Sequence, residues 1–215
     1  MSESVNSTDD AIYDIRRQFS RKLVKEVQQR ALPLLKERLD DYGLTHSCSS
    51  ADYARELAQV YQTDPNQAYI AALLHDWDRC VPKDQLIERA KQIGFEITPE
   101  ICAAPQILHA HTGAADVQRH FPELPESVIT AIRHHTVGAK DMSDLDKVVY
   151  VADMIEPNRV GPQVLELREL VGVIDLDALF LRAYQATMFH LIKNKKVMHF
   201  DTTRVWNALI MKGIA

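Results

Sequence analysis

The chain has 215 residues and a formal net charge of −5, with 46% hydrophobic and 26% charged residues. That length fits one domain with a substantial core, and the balance is that of an ordinary globular protein, not a disordered or fibrous one. The negative charge excludes a protein that lives on nucleic-acid backbones, because neutralising phosphates needs a basic surface; it leaves room for a local basic pocket.

Residues 1–10 are polar and acidic with no apolar signal-peptide core, and no later stretch approaches the roughly 20 apolar residues of a membrane span. The expectation is a cytoplasmic protein with a disordered start and no membrane partner. Ile12, Ile15, Phe19, Leu23 and Val27 recur with helical spacing, which predicts an amphipathic helix, and Pro33 stands where a new helix can begin. The division expected is therefore an N-terminal extension over 1–31, helical after its disordered start, and a main domain over 32–215. His46 is expected to open a helix ahead of the next apolar run. Further starts are signalled at Asp64-Pro65, Val81-Pro82, Thr98-Pro99, Leu124-Pro125 and Asp201-Thr202, each a cap or first-turn proline before periodic apolar residues. With seven glycines and no useful alternation of apolar and polar residues, there is little to build a sheet from; the fold class expected is all-α. Cys48, Cys80 and Cys102 are odd in number and lack CxxC spacing, so free thiols in a reducing compartment are expected, with no cysteine ligand.

The nearly unbroken apolar run from Ala68 to Leu74 carries His75 and Asp76 into the interior. An imidazole beside a two-oxygen carboxylate suits divalent cations, and the carboxylate is able to bridge a pair. Asp153 sits in a second apolar run, Val148 to Ile155. Burying a lone carboxylate costs several kcal/mol, so Asp153 needs an arginine, for which Arg133 or Arg159 can serve, or several hydrogen bonds, or a metal. Histidines favour the metal: His46, His109, His111, His134 and His135 gather around these acids in the sequence. His109 and His111 are two apart and point to nearly opposite sides of a helix, so one of them is expected to ligate. His134 and His135 differ by about 100°, which lets one ligate and the other touch substrate. His120, His190 and His199 are taken as surface or core histidines.

The ordered set His46, His75-Asp76, His109, His135 and Asp153 resembles the HD-domain superfamily. The segments AYIAALLHDWDR (68–79), ILHAHTGA (107–114), AIRHHTVG (131–138) and VVYVADMIEPNRVGP (148–162) look like the bacterial YqeK family within it. That resemblance implies an HD-domain helical bundle and the symmetrical hydrolysis of diadenosine tetraphosphate to two ADP by a metal-bridging hydroxide. It implies two divalent metal ions, iron first, with Mn, Co or Ni as substitutes. One is held by His46, His75, Asp76 and Asp153, and the other by His109 and His135 with Asp76 as the bridge; Asp76 and Asp153 are the catalytic carboxylates. A polyphosphate needs cations and small turns, so Arg79, Arg133, His134, Thr136, Gly138 and Arg159 are the candidate substrate contacts, whereas Lys140 and Arg168 read as solvated. Glu156, one helical turn after Asp153, is expected to hold a ligand histidine from behind. Ala110, Asp78, Arg79 and the run Ser47-Cys48-Ser49-Ser50 depart from the family pattern. Two alternatives share the ligands: an HD nucleotidase acting on another phosphorylated nucleotide, and a mixed-valent di-iron HD oxygenase. The partner expected is a small nucleotide, with a homodimer through the N-terminal helix.

Overall fold

The computed structural model describes residues 19–213. Among them are eleven α-helices and one 3-10 turn, with no strand beyond an isolated bridge between Val171 and Ile174. The fold is all-α.

Helix α1 (Arg21–Arg38) starts at Ser20, whose hydroxyl accepts from Leu23 N at 3.3 Å. Its buried stripe, Val24, Val27, Ala31 and Leu35, keeps one helical period across Pro33. The new helix expected at Pro33 is therefore a correction: α1 runs through it without a break. Pro33 lies on the exposed face, where water can take the carbonyl that its missing N–H leaves free, and the buried stripe outweighs the local preference. Residues 1–18, including Ile12 and Ile15, lie outside the described residues.

Helix α2 (Asp41–Val60) is capped by Asp40, which accepts from Gly43 N at 2.7 Å. It begins before His46, not at it, so His46 lies in its second turn on the buried face. Helix α3 (Pro65–Leu74) is capped by Asp64 through the N–H groups of Asn66 and Gln67. Every residue from Ala68 to Leu74 is buried, because α3 is packed by α1, α2, α7 and α8. A helix apolar all round belongs at the centre of a bundle.

Helices α4 (Lys83–Gln92) and α5 (Pro99–Ala103) and the 3-10 turn Pro105–Ile107 build a small satellite core with the start of α6 (Leu108–His120): Leu86, Ala90, Ile101 and Leu108. Helix α7 (Glu126–His134) follows Pro125, and α8 (Asp144–Ile155) opens with a capping box in which Ser143 and Asp146 satisfy each other's backbone N–H. Helices α9 (Pro162–Glu169), α10 (Leu176–Lys193) and α11 (Phe200–Met211) complete the chain. The start of α11 is a second correction. The cap is His199, whose Nδ1 accepts from Asp201 N at 3.3 Å, so the helix begins two residues before the predicted Asp201-Thr202 boundary.

The turn after α3 is clamped from outside. Trp77 is fully buried and donates Nε1–H to Asp116 of α6 at 2.7 Å, while the Arg38 guanidinium lies 4.2 Å over its ring. Asp78 accepts from Arg38 and Arg89. This clamp fixes the backbone immediately after Asp76.

Candidate metal centre

Three histidines are set by one device. His75 ends α3, His109 lies in the first turn of α6 and His135 ends α7, and each holds Nδ1 against the carbonyl three residues earlier: Ala72 at 2.6 Å, Gln106 at 2.5 Å and Ile132 at 2.7 Å. A ring nitrogen facing a carbonyl must carry a proton, so in the neutral ring Nε2 is left with a lone pair. His46 reaches the same state from α2, with Nδ1 at 3.2 Å from Glu156 Oε1.

The four Nε2 atoms converge around Asp76, whose two oxygens face opposite ways. Oδ1 lies 3.0 Å from His109 Nε2 and 3.6 Å from His135 Nε2. Oδ2 lies 3.5 Å from His75 Nε2 and 3.8 Å from His46 Nε2. Asp153 Oδ1 completes the second group at 2.9 Å from His46 Nε2 and 3.7 Å from His75 Nε2. Within each group two imidazole nitrogens face each other, at 3.0 Å for His109 and His135 and 3.2 Å for His46 and His75. Facing lone pairs repel unless a proton or a cation lies between them, and the donor set of imidazole nitrogens and carboxylate oxygens is one that divalent transition metals accept. The residues present fit a metal: His46, His75 and Asp153 form one group able to hold an ion, and His75, Asp76 and His135 another.

The electrostatics point the same way. Burial disfavours charge on His75, but Asp76 and Asp153 outweigh it and carry its pKa to about 9. Burial likewise opposes ionised Asp76 and Asp153, yet the surrounding histidines hold both carboxyls well below the usual range. His135 is pushed down, burial being the main cause. A buried site that keeps two carboxylates ionised and draws a proton to its deepest imidazole is one short of positive charge, which a cation supplies in the proton's place.

The other candidates are distributed unevenly. Arg159 donates Nη2–H to Asp153 Oδ1 at 3.0 Å and Nη1–H to Tyr42 Oη at 3.3 Å, so it sits at the mouth of the centre. Glu156 is fully buried; besides His46 it accepts from Ser49 Oγ at 2.5 Å and Asn158 N at 2.7 Å. Its pKa is lowered because those donors outweigh burial. His134 pairs with Asp146 Oδ2 at 3.3 Å, and Thr136 Oγ1 is buried without a partner among the described residues. Gly138 closes α7 by donating N–H to His134 O and has φ of 77°, a left-handed conformation suited to glycine. A Cβ there would meet Met142, Tyr184 and Val205 at 3.3–3.5 Å. Arg133 pairs with Glu126 at 3.4 Å and Arg79 is exposed; among the described residues neither contacts the side chains around Asp76. Arg168 corrects its reading as solvated: it is half-buried and donates to the carbonyls of Ile155, Glu156 and Arg159, bracing the turn after α8.

A cavity of about 690 Å³ is walled by His111 and His134, by the turn Val137–Lys140, and by His199 and α11; none of the side chains that converge on Asp76 lines it. The sequence singled out His134 and Gly138 here as substrate contacts, weighed His111 only as an alternative ligand to His109, and read His199 as a surface or core histidine and Asp201 as a helix start. The signal for the last two was the cap chemistry of α11, misplaced by two residues. Ser49 was also missed; the small polar run after His46 is what lets Glu156 approach.

Comparison with known proteins follows the same outline. The HD domain family matches residues 43–158, which contain every metal-facing side chain above. The chain is 35% identical over 186 residues, 85% of its length and 97% of the relative's, to the symmetrical bis(5'-nucleosyl)-tetraphosphatase of Bacillus subtilis. It is 33% identical over 132 residues to a probable nicotinate-nucleotide adenylyltransferase/Ap4A hydrolase of Mycoplasma genitalium, spanning 61% of this chain and 37% of that one. A solved structure from Clostridium acetobutylicum, described as an HD superfamily hydrolase involved in NAD metabolism, superposes with a TM-score of 0.80 at 31% identity, covering 86% of this chain and 97% of the other.

Proposed function

The chain belongs to the HD-domain family, and from that premise we propose that it is a metal-dependent phosphohydrolase that adds water to diadenosine tetraphosphate and releases two ADP. The observation that carries this reading is Asp76: one carboxylate turns one oxygen to His109 and His135 and the other to His46 and His75, which is what a bridge between two cations requires. The relatives of B. subtilis and M. genitalium, named for bis(5'-nucleosyl)-tetraphosphatase and Ap4A hydrolase activity, support the substrate.

Two divalent ions, with iron expected and manganese, cobalt or nickel as substitutes, would supply Lewis acidity that activates water near neutral pH and offsets charge on the phosphoryl oxygens. The chain's own residues do the rest. His75, His109 and His135 are pinned by carbonyls and His46 by Glu156, so the donor atoms are fixed before anything binds. Arg159 engages Asp153 and Tyr42 with its guanidinium and stays partly exposed, which puts a fixed positive charge where a phosphate chain would approach. Asp153 and Asp76 keep their negative charge through the burial that would otherwise remove it. Cleavage between the second and third phosphates then leaves each half with two phosphates.

Product analysis by anion-exchange chromatography tests this, with diadenosine tetraphosphate and iron or manganese, wild type against Asp76→Ala. ADP as the single product of wild type, and none from the variant, is the expected result. ATP with AMP would refute the symmetrical cut and keep a hydrolase; turnover by the variant would refute the bridging role of Asp76.

A further inference from the structure

We infer that the hollow between the end of α1, α4 and α6 is a binding site for a small oxyanion of the phosphate class, separate from the metal centre. It has a volume of about 240 Å³ and is lined by Arg38, Arg89, Gln92, Thr112, Asp116 and Arg119. It shares no lining residue with the larger cavity under α11, and none of the side chains that converge on Asp76 lines it. The volume falls below the roughly 300–1,000 Å³ of sites for drug-sized ligands, which suits a single tetrahedral anion and not a nucleoside.

Three elements bring the cations together. Arg38, Arg89 and Arg119 stand in the last turns of α1, α4 and α6. A cation there suits the helix dipole, which accounts for an arginine at each helix end but not for their convergence. Buried carboxylates hold the guanidiniums in place. Asp78 accepts from Arg38 Nη1 at 3.3 Å and Arg89 Nη1 at 3.0 Å, and Asp116 accepts from Arg38 Nη2 at 2.8 Å and Arg119 Nη2 at 2.9 Å. These bonds leave most of the N–H groups of each fork without a partner among the described residues. Asp78 is fully buried and does not line the hollow. Asp116 does, but both its oxygens are taken, one by Trp77 and Arg38 and the other by Arg119. Three lining cations over one covered carboxylate leave the positive excess that a phosphate dianion matches, in the fork geometry that oxyanions accept. Thr112 separates a built site from a solvated network of ion pairs. It is 2% exposed and lines the hollow, yet its Oγ1 has no hydrogen-bond partner among the described residues. A buried hydroxyl without a partner is destabilising, and an oxyanion held by the guanidiniums supplies the missing acceptor.

Arg89→Gln removes one cation while Arg38 still holds Asp78, and Thr112→Val keeps shape and charge and removes only the hydroxyl. Calorimetric titration of the metal-loaded enzyme with inorganic phosphate reads both. Phosphate bound to the metals remains in the variants, which leave the metal-facing side chains in place, so the difference from wild type reports the hollow. The wild-type isotherm should contain an additional binding event that Arg89→Gln weakens at least about tenfold and Thr112→Val about fivefold. The valine variant keeps the test alive if the glutamine variant fails to fold. Titration with ADP distinguishes the source of the anion: an ADP isotherm altered in both variants, with that of inorganic phosphate unaltered, would assign the site to the terminal phosphate of a nucleotide. Isotherms of phosphate and ADP equal to wild type in both variants overturn the site. Weakening in Arg89→Gln with none in Thr112→Val overturns it as well, because a diffuse positive field would then account for the effect without a bound anion at the hydroxyl.

Discussion

At the scale of single residues, the centre is set by what stands behind each imidazole, and three of the four supports are backbone carbonyls that no side-chain substitution can remove. Glu156 is the exception. Its Oε1 holds His46 Nδ1 at 3.2 Å, and Ser49 and Asn158 fix its other oxygen. Glu156→Gln keeps the shape and replaces the carboxylate that holds His46 Nδ1–H with a neutral amide, so metal affinity should fall by about 10–100-fold, read by competition against a chromogenic chelator. An affinity equal to wild type would reduce Glu156 to a cap for the turn after α8. This partner was legible in the sequence as a carboxylate one turn after Asp153. Its second oxygen was not, because Ser49 lies 107 residues away and only the packing of α2 on α8 brings them together. The choice between His109 and His111 was also open in the sequence. Spacing shows that they diverge, and only the position of the 3-10 turn before α6 decides which one faces Asp76.

At the scale of elements, the starts with a local chemical cause were legible. Asp64-Pro65 and Thr98-Pro99 place a side-chain acceptor and a fixed φ at one point, and α3 and α5 begin there. Two others were not: α1 ignores Pro33 because its apolar stripe continues, and α11 begins early because a histidine, an unusual capping residue, serves as its cap. Between elements, Asp116 is the main tie, accepting from Trp77 at 2.7 Å, Arg38 at 2.8 Å and Arg119 at 2.9 Å and so joining α1, the turn after α3, and α6. Burial opposes its charge, but Trp77, Arg119 and Arg38 outweigh it and hold its pKa below the ordinary value of 3.8. A depressed carboxyl stabilises the fold above its unfolded pKa and loses that contribution as pH falls through the folded value. Asp116→Asn should therefore cost about 1–2 kcal/mol near pH 7, with the gap to wild type closing as pH drops below 3.8. Urea unfolding at pH 7 and at low pH checks this, and a gap that stays constant would mean the loss is steric and not electrostatic.

For the whole molecule, the order of the ligands along the chain was legible while their convergence was not. His46, Asp76, His109, His135 and Asp153 span most of the matched domain and sit on α2, the turn after α3, α6, α7 and α8. Nothing local in any of those segments encodes that the five meet. What brings them together is α3, apolar on every side, around which the neighbouring helices must pack. A centre assembled from five separate elements exists only in the folded chain, so metal binding and folding are coupled. A cation at about 100 times its dissociation constant adds about 2.7 kcal/mol, and for a chain of this size each kcal/mol moves the midpoint by about 2–4 °C. Manganese added to metal-free protein should therefore raise Tm by about 5–10 °C, with the gain shrinking at lower pH as protons compete for the imidazoles. Asp76→Ala, which loses an oxygen to each group, should forfeit most of that rise while Glu156→Gln keeps part of it at higher metal. An equal rise in Asp76→Ala would mean that manganese binds elsewhere and that the two histidine groups do not act as one centre.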